Sequence, residues 1–241
     1  MKTELAKKLD EKLRPLYEEL IQSVKDLQVD KRFFCGQWGK NFPAAEHEGI
    51  LFVGRATNGW RSSEENVDFM FGDSDDRIFN LDDQMQWVEN CDGIKNEDGY
   101  DSGRSQFWRV IKKVSSHYYP ENWSSYVAWT NVCKVAPDGD NPSDPLYYAQ
   151  LESCKKILKA EIEILSPKVV VFLTGEGWSK DFLSYLLGEG YNHVAESKEW
   201  DGHEAKAYLS NETIFISSEH PQGKKEPSHV QAIIDLIEDL K

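Results

Sequence analysis

Four short runs in this chain of 241 residues are apolar almost without interruption, and they restrict its possible folds more than any other feature. They are Gly49-Ile-Leu-Phe-Val-Gly54, Tyr126-Val-Ala-Trp-Thr-Asn-Val132, Lys168-Val-Val-Val-Phe-Leu-Thr174 and Thr213-Ile-Phe-Ile-Ser217. A strand with one wet face alternates apolar and polar side chains, whereas a strand apolar at every position has to be covered on both faces. Each run is too short for a core helix and is rich in β-branched and aromatic residues, so each reads as a buried strand.

Helical spacing fills the intervals. Residues 3–27 place Leu5, Leu9, Leu13, Leu16 or Tyr17, Leu20 and Val24 three to four apart, as an amphipathic helix requires. Ser105 to Tyr119 aligns Phe107 or Trp108, Ile111, Val114 and Tyr118, and Leu151 to Leu165 forms a helix that stops where Pro167 restricts Ser166. A further helix follows Gly175-Glu-Gly177 through Leu187, and Pro227 to Leu240 closes the chain. An edge strand is expected near Ala205 to Leu209, and Pro137 to Pro145 reads as a loop. Strands alternating with helices make an α/β fold, a three-layer α/β/α arrangement around a central four-stranded, mainly parallel sheet. With no repeat and no break in composition, residues 1–241 read as a single domain.

The formal charge is −14, from 42 Asp and Glu against 28 Lys and Arg. Residues 61–103 hold 13 acidic and 3 basic side chains, a net −10 in 43 residues, so the other 198 carry −4. The charge argues against a protein that coats DNA generically, which needs a basic face, unless the negative charge is segregated from the contact surface; the acidic stretch reads as an insertion that is either a solvated face or a docking site for a basic protein partner. No run reaches the ~18 apolar residues of a membrane span, and the charged start lacks a signal-peptide core, so no membrane partner and a cytoplasmic location are expected. Cys35, Cys91, Cys133 and Cys154 are scattered without C-x-x-C, which leaves free thiols as the reading. His203 with Asp201, Glu204 and the distant His193 matches no standard zinc spacing, so no metal is expected.

In a parallel sheet, ligands bind beyond the carboxyl ends of the strands. That rule selects Gly54-Arg-Ala-Thr-Asn-Gly-Trp60, Asn131-Val-Cys-Lys-Val-Ala-Pro137, Thr174-Gly-Glu-Gly-Trp178 and Ser218-Glu-His-Pro-Gln-Gly-Lys-Lys225. In this order the blocks resemble the uracil-DNA glycosylase superfamily, in pattern its thermostable four-type branch. The first strand ends in Gly, the second reads Thr130-Asn131-Val132 with Lys134 and Pro137, the third runs Leu165 to Gly175, and the last delivers His220-Pro221. Together they span about three-quarters of the chain.

The resemblance implies a nucleobase or single-stranded DNA as partner and a pocket at the strand ends. Asn131 would read the polar edge of a flipped base with an amide that both donates and accepts. His220 would donate to the base carbonyl as it gains charge in bond cleavage. Gly54 and Arg55 with Trp60 would line the pocket, and Phe71 or Phe69 would stack on the base. The family places Asp, Glu or Asn at the second or third position after the first strand, where this chain has Arg55 and Ala56. Asn58 is the nearest replacement; its amide orients water but takes no proton, so hydrolysis of the N-glycosidic bond is expected to be slow unless Glu219 or an Asp of the insertion acts as base. The four-type branch holds an iron-sulfur cluster on four cysteines, of which Cys154 alone falls in place here, so no cofactor is expected. The alternative is a non-catalytic module on the same fold that binds a base or nucleotide, or a protein.

For each residue there is also a plain structural reading. Asn131 could form a turn, His220 could sit on the surface before Pro221, Arg55 could pair with the insertion rather than bind phosphate, and Trp60 and Trp178 could simply pack.

Overall fold

The computed structural model describes residues 3–43, 49–57, 66–73, 77–97 and 99–241. Among them the helices are α1 (Glu4–Val24), α2 (Asp68–Phe71), α3 (Gln86–Asn90), α4 (Gln106–Tyr118), α5 (Asp144–Leu165), α6 (Glu176–Leu187) and α7 (Glu226–Asp239). The strands are β1 (Arg32–Phe33), β2 (Gln37–Trp38), β3 (Ile50–Gly54), β4 (Val127–Asn131), β5 (Val135–Ala136), β6 (Val169–Leu173), β7 (Glu196–Trp200), β8 (His203–Ser210) and β9 (Thr213–Ser218). The chain folds into two compact units: Met1–Gln37, Gly54–Asp82 and Thr130–Ser166 form one, and Trp38–Val53, Asp83–Trp129 and Pro167–Lys241 the other.

The second unit is built on the sheet. Its order is β2-β4-β3-β6-β9-β8-β7, so the four apolar runs recognised in the sequence are four adjacent strands, β4, β3, β6 and β9. β6 pairs in parallel with β3, Ile50 opposite Val169, and with β9, Val169 opposite Ile214. β3, β4 and β6 are buried at every position, as strands covered on both faces must be.

The sheet has seven strands where four central strands and one edge strand were expected. β2 is two residues long and carries no readable pattern, and β7, Glu-Ser-Lys-Glu-Trp, is mostly charged. β8 is not an edge: it runs antiparallel to β9 on one side and to β7 on the other, joined to β7 by a turn at Asp201 and Gly202. Charged side chains on the edge strand β7 guard it against pairing with another chain. α7 packs on α4 and on β7 to β9, burying Ala232, Ile233, Ile234, Leu236 and Ile237.

In the first unit α1 lies along α5. α1 buries Leu9, Leu13, Tyr17, Leu20 and Val24, so Tyr17 rather than Leu16 occupies the ambiguous position, and its hydroxyl donates to Phe34 O at 2.9 Å. Thr3 caps its start through Ala6 N, and Lys31 Nζ gathers the carbonyls of Val24, Lys25 and Leu27 at 3.2–3.3 Å at its end. α5 begins earlier than the loop reading allowed, at Asp144. Pro145 falls in its first turn, where a missing N–H costs nothing. Its end is at Ser166, which turns left-handed at φ 48° before Pro167.

The acidic insertion contributes to the cores of both units. Phe69, Met70, Phe71 and Phe79 are buried in the first, and Met85, Val88 and Cys91 in the second. Charge counting alone hid this, because short apolar runs such as Phe69-Met70-Phe71 are set within an acidic stretch.

Candidate functional site

The strand ends selected from the sequence meet within each unit. In the first, Val132 N donates to Gly54 O and Cys133 N to Arg55 O, both at 2.9 Å. Gly54, Arg55 and the turn after Asn131 are thereby laced together at the ends of β3 and β4. Asn131 is 1% exposed, and its Nδ2 has no hydrogen-bond partner among the described residues. A buried amide left so costs about 1–3 kcal/mol, and pairing with a ligand or a water molecule would recover it. Thr57 Oγ1, three residues past the end of β3, is likewise buried without a partner among the described residues. Asn58 and Trp60 lie outside the described residues.

Phe71 belongs to the core of this unit. Its ring meets Phe79 and Tyr17 edge-on, at 5.0 and 5.9 Å between centroids, and the Arg14 guanidinium sits 5.2 Å from its centre. A base stacking there would have to displace Arg14, which also donates to Phe71 O at 2.8 Å. Phe69 is tilted against Phe33 at 6.3 Å.

In the second unit the ends of β6 and β9 are joined by Gly175 N donating to Ser218 O at 2.9 Å. His220 follows two residues later. Gln222 N donates to its Nδ1 at 3.3 Å, so in a neutral ring the proton lies on Nε2. The ring lies nearly parallel to Phe107, 18° between planes and 6.3 Å between centroids. Phe107 continues into Trp108, Trp129 and Trp87. Gln106, the first residue of α4, binds the same loop with both ends of its amide, at Gly223 N and Lys224 O. Glu226 then fixes α7 to α4 through Arg109 and Lys113; the hydrogen bonds from Arg109, chiefly, hold its carboxyl down at about 2. Glu219 has Lys224 Nζ at 4.0 Å.

Behind this loop, His229 is fully buried. Its Nε2 is 2.8 Å from Ser218 Oγ, and its ring stacks on Trp200 at 4.1 Å. Burial above all, then the charges of His203, His220 and Lys224, pushes it down to about 4, so it is neutral at pH 7. Gln106, Phe107 and His229 were missed in the sequence because each acts through a residue more than ten positions away.

The family model of the uracil DNA glycosylase superfamily matches residues 29–238. The chain belongs to that superfamily. No individual curated protein matches it. The α/β fold with its mainly parallel central strands is that of the superfamily, and the match names no branch within it.

The iron-sulfur cluster of the four-type branch has no fitting donors among the described residues. Cys133 and Cys154 are buried thiols whose pKa burial raises, to about 12 for Cys154. Cys154 Sγ is already engaged, donating to Gln150 Oε1 at 3.3 Å and accepting from Lys134 N at 3.4 Å.

Several acidic residues of the insertion are occupied within the chain. Asp68 faces Arg14, Asp92 bonds Lys112, Asp83 and Glu89 accept from Ser125 and Ser124, and Asp101 caps Gly93 and Gly103. Among the described residues no helix is long and apolar enough to cross a membrane.

Proposed function

We propose that this protein binds a nucleobase, presented free or in single-stranded DNA, and cleaves the N-glycosidic bond of a deaminated base slowly. The observation that carries this reading is the buried Nδ2 of Asn131, without a hydrogen-bond partner among the described residues, at the end of a central strand in a member of the uracil DNA glycosylase superfamily. An amide there pairs with the imide edge of uracil through both donor and acceptor. Gly54 and Arg55 border the base, with Trp60 as its apolar wall; Phe71 stays in the core of the unit, its ring covered by Arg14. His220, with its proton on Nε2, donates to the base carbonyl as negative charge develops. Asn58 orients the water, and Glu219 is the nearest carboxylate to His220 in sequence that could accept its proton. A cytoplasmic location and a place within the four-type branch belong to the same proposal.

Arg55 and Ala56, where the superfamily pattern has a polar or acidic group, favour a second reading: a base-binding module without catalysis, in which the insertion can also recruit a basic protein. One experiment separates the two. Under single-turnover conditions with single-stranded and duplex DNA carrying uracil, hypoxanthine or xanthine, abasic sites are expected to form slowly on at least one substrate. Their absence throughout, from folded protein, would sink the catalytic reading. A thermal shift with free bases would then support the binding module, since ligand at 100 times its Kd stabilises by roughly 2.7 kcal/mol.

A further inference from the structure

Four residues apart on either side of the Asn131-Val132-Cys133 turn, Thr130 and Lys134 are bonded to each other and to one carboxylate. Lys134 Nζ donates to Thr130 Oγ1, and also to Glu161 Oε2 at 2.7 Å; the Thr130 hydroxyl donates to the same Oε2 at 2.8 Å. Lys134 and Thr130 are 0% exposed and Glu161 1%. Glu161 projects from α5, which anchors the turn a second time through Gln150: its Oε1 accepts from Val135 N at 2.9 Å and its Nε2 donates to Val135 O at 2.8 Å. The carboxylate has room because residue 36 is glycine. A Cβ there would lie 2.9 Å from Glu161 Oε1 and 3.4 Å from Thr130 Oγ1.

Stability alone does not account for such a pair. Taking both charges out of water costs about as much as their attraction returns, and well-packed apolar residues of similar size are often as stable or more so. A fully buried ion pair does hold its partners in one arrangement, and here that arrangement closes a ring of side chains around the base of the turn that presents Asn131.

We infer that Lys134, Glu161 and Thr130 are positioning residues for Asn131, fixing the orientation of its amide and with it the choice between bases that present a donor and bases that present an acceptor. This rests on the proposed role of Asn131 as base reader. The residues themselves touch no substrate; they act through the backbone of residues 130–134.

The test uses the full chain with two variants. Lys134→Met with Glu161→Leu replaces the pair by apolar groups, and Thr130→Val removes one hydroxyl at constant shape, so that at least the second folds. Two readouts are taken. The first is the side-chain amide resonances of Asn131 in 15N-labelled protein, identified by their loss in Asn131→Asp. The second is the preference for uracil over cytosine in single-stranded oligonucleotides, by binding or by cleavage. In both variants the Asn131 amide signals are expected to shift and broaden, and the preference to fall by about tenfold, the scale of one misplaced hydrogen-bonding group. Glu161→Gln, which keeps an acceptor for Lys134 and Thr130, should retain most of it. Unchanged Asn131 resonances in folded Thr130→Val would overturn the positioning role whatever the protein binds. A wild-type chain that neither binds nor cleaves any base refutes the base-reading proposal instead, and the amide signals still decide on the ring.

Discussion

Gln106 holds the His220 loop at both ends of one amide: its Oε1 accepts from Gly223 N at 2.6 Å and its Nε2 donates to Lys224 O at 3.3 Å. Phe107, the next residue, stacks on His220 itself. The start of α4 is therefore the mould in which the loop is set. In Gln106→Ala both backbone groups lose their side-chain partner, and a histidine that must be aimed is left on a looser loop. Thermal stability should fall by about 1–2 kcal/mol, and the cleavage rate by roughly tenfold beyond that, as expected when a reacting group loses its alignment. A variant with lowered stability and an unchanged single-turnover rate would show that the grip serves folding alone.

The residue at position 56 provides a gain-of-function test. A general base contributes about 10²–10⁴ to a hydrolysis, and the chain has Ala56 where the superfamily pattern carries a group that polarises water. Ala56 is half-buried beyond the end of β3, so a short side chain can be introduced there. Ala56→Asp should accelerate release of uracil at least ~10-fold, with a rate that rises with pH through the range where the new carboxyl ionises. Equal rates for the two proteins would place the attacking water elsewhere.

The sheet was legible in sequence to the extent that its strands are buried on both faces. β3, β4 and β6 announce themselves because every position is covered, and β9 because its centre Ile214-Phe215-Ile216 is, and the four proved to be neighbours. β7 could not be read that way, since its Glu196, Lys198 and Glu199 belong on an edge, and β2 is held by a backbone partner rather than by a pattern of its own. The strand-end rule points to the segments that carry Asn131 and His220, and the resemblance singles out those two residues within them. Neither reaches Gln106 or Glu161, because their partners lie 117 and 27–31 positions away and only folding reveals the pairing.

A glycine that no motif distinguishes should be among the least replaceable residues. Gly39 follows β2, and its N–H donates to Val127 O at 2.9 Å. A Cβ at this position would stand 2.3–2.4 Å from Ser124 O and from the backbone of Ser125, atoms that cannot swing aside. Gly39→Ala forces that backbone apart and should destabilise the fold by about 3 kcal/mol, at the upper end of typical overpacking. Urea unfolding of the variant measures this; a loss under ~0.5 kcal/mol would mean that the approach of the two segments is softer than the geometry indicates.

His229 makes folding sensitive to mild acid. Its ring is buried, hydrogen-bonded to Ser218 and stacked on Trp200, with its pKa at about 4 instead of 6.5. In the unfolded chain the same ring takes up a proton below about 6.5. Between those two values the unfolded state binds the extra proton, so stability is fully present above pH 6.5 and declines as the pH falls toward 4. The decline attributable to this residue is of the order of 3 kcal/mol. Glu226 acts in the same direction at lower pH: held at about 2 by Arg109, it withdraws its contribution as the pH falls from 4.5 toward 2. Urea midpoints recorded from pH 7.5 to 4 should fall most steeply near pH 5 to 6, and His229→Gln, which cannot titrate, should be less stable at pH 7.5 but flatter over that interval. A variant as pH-dependent as the wild type would assign the acid sensitivity to another group.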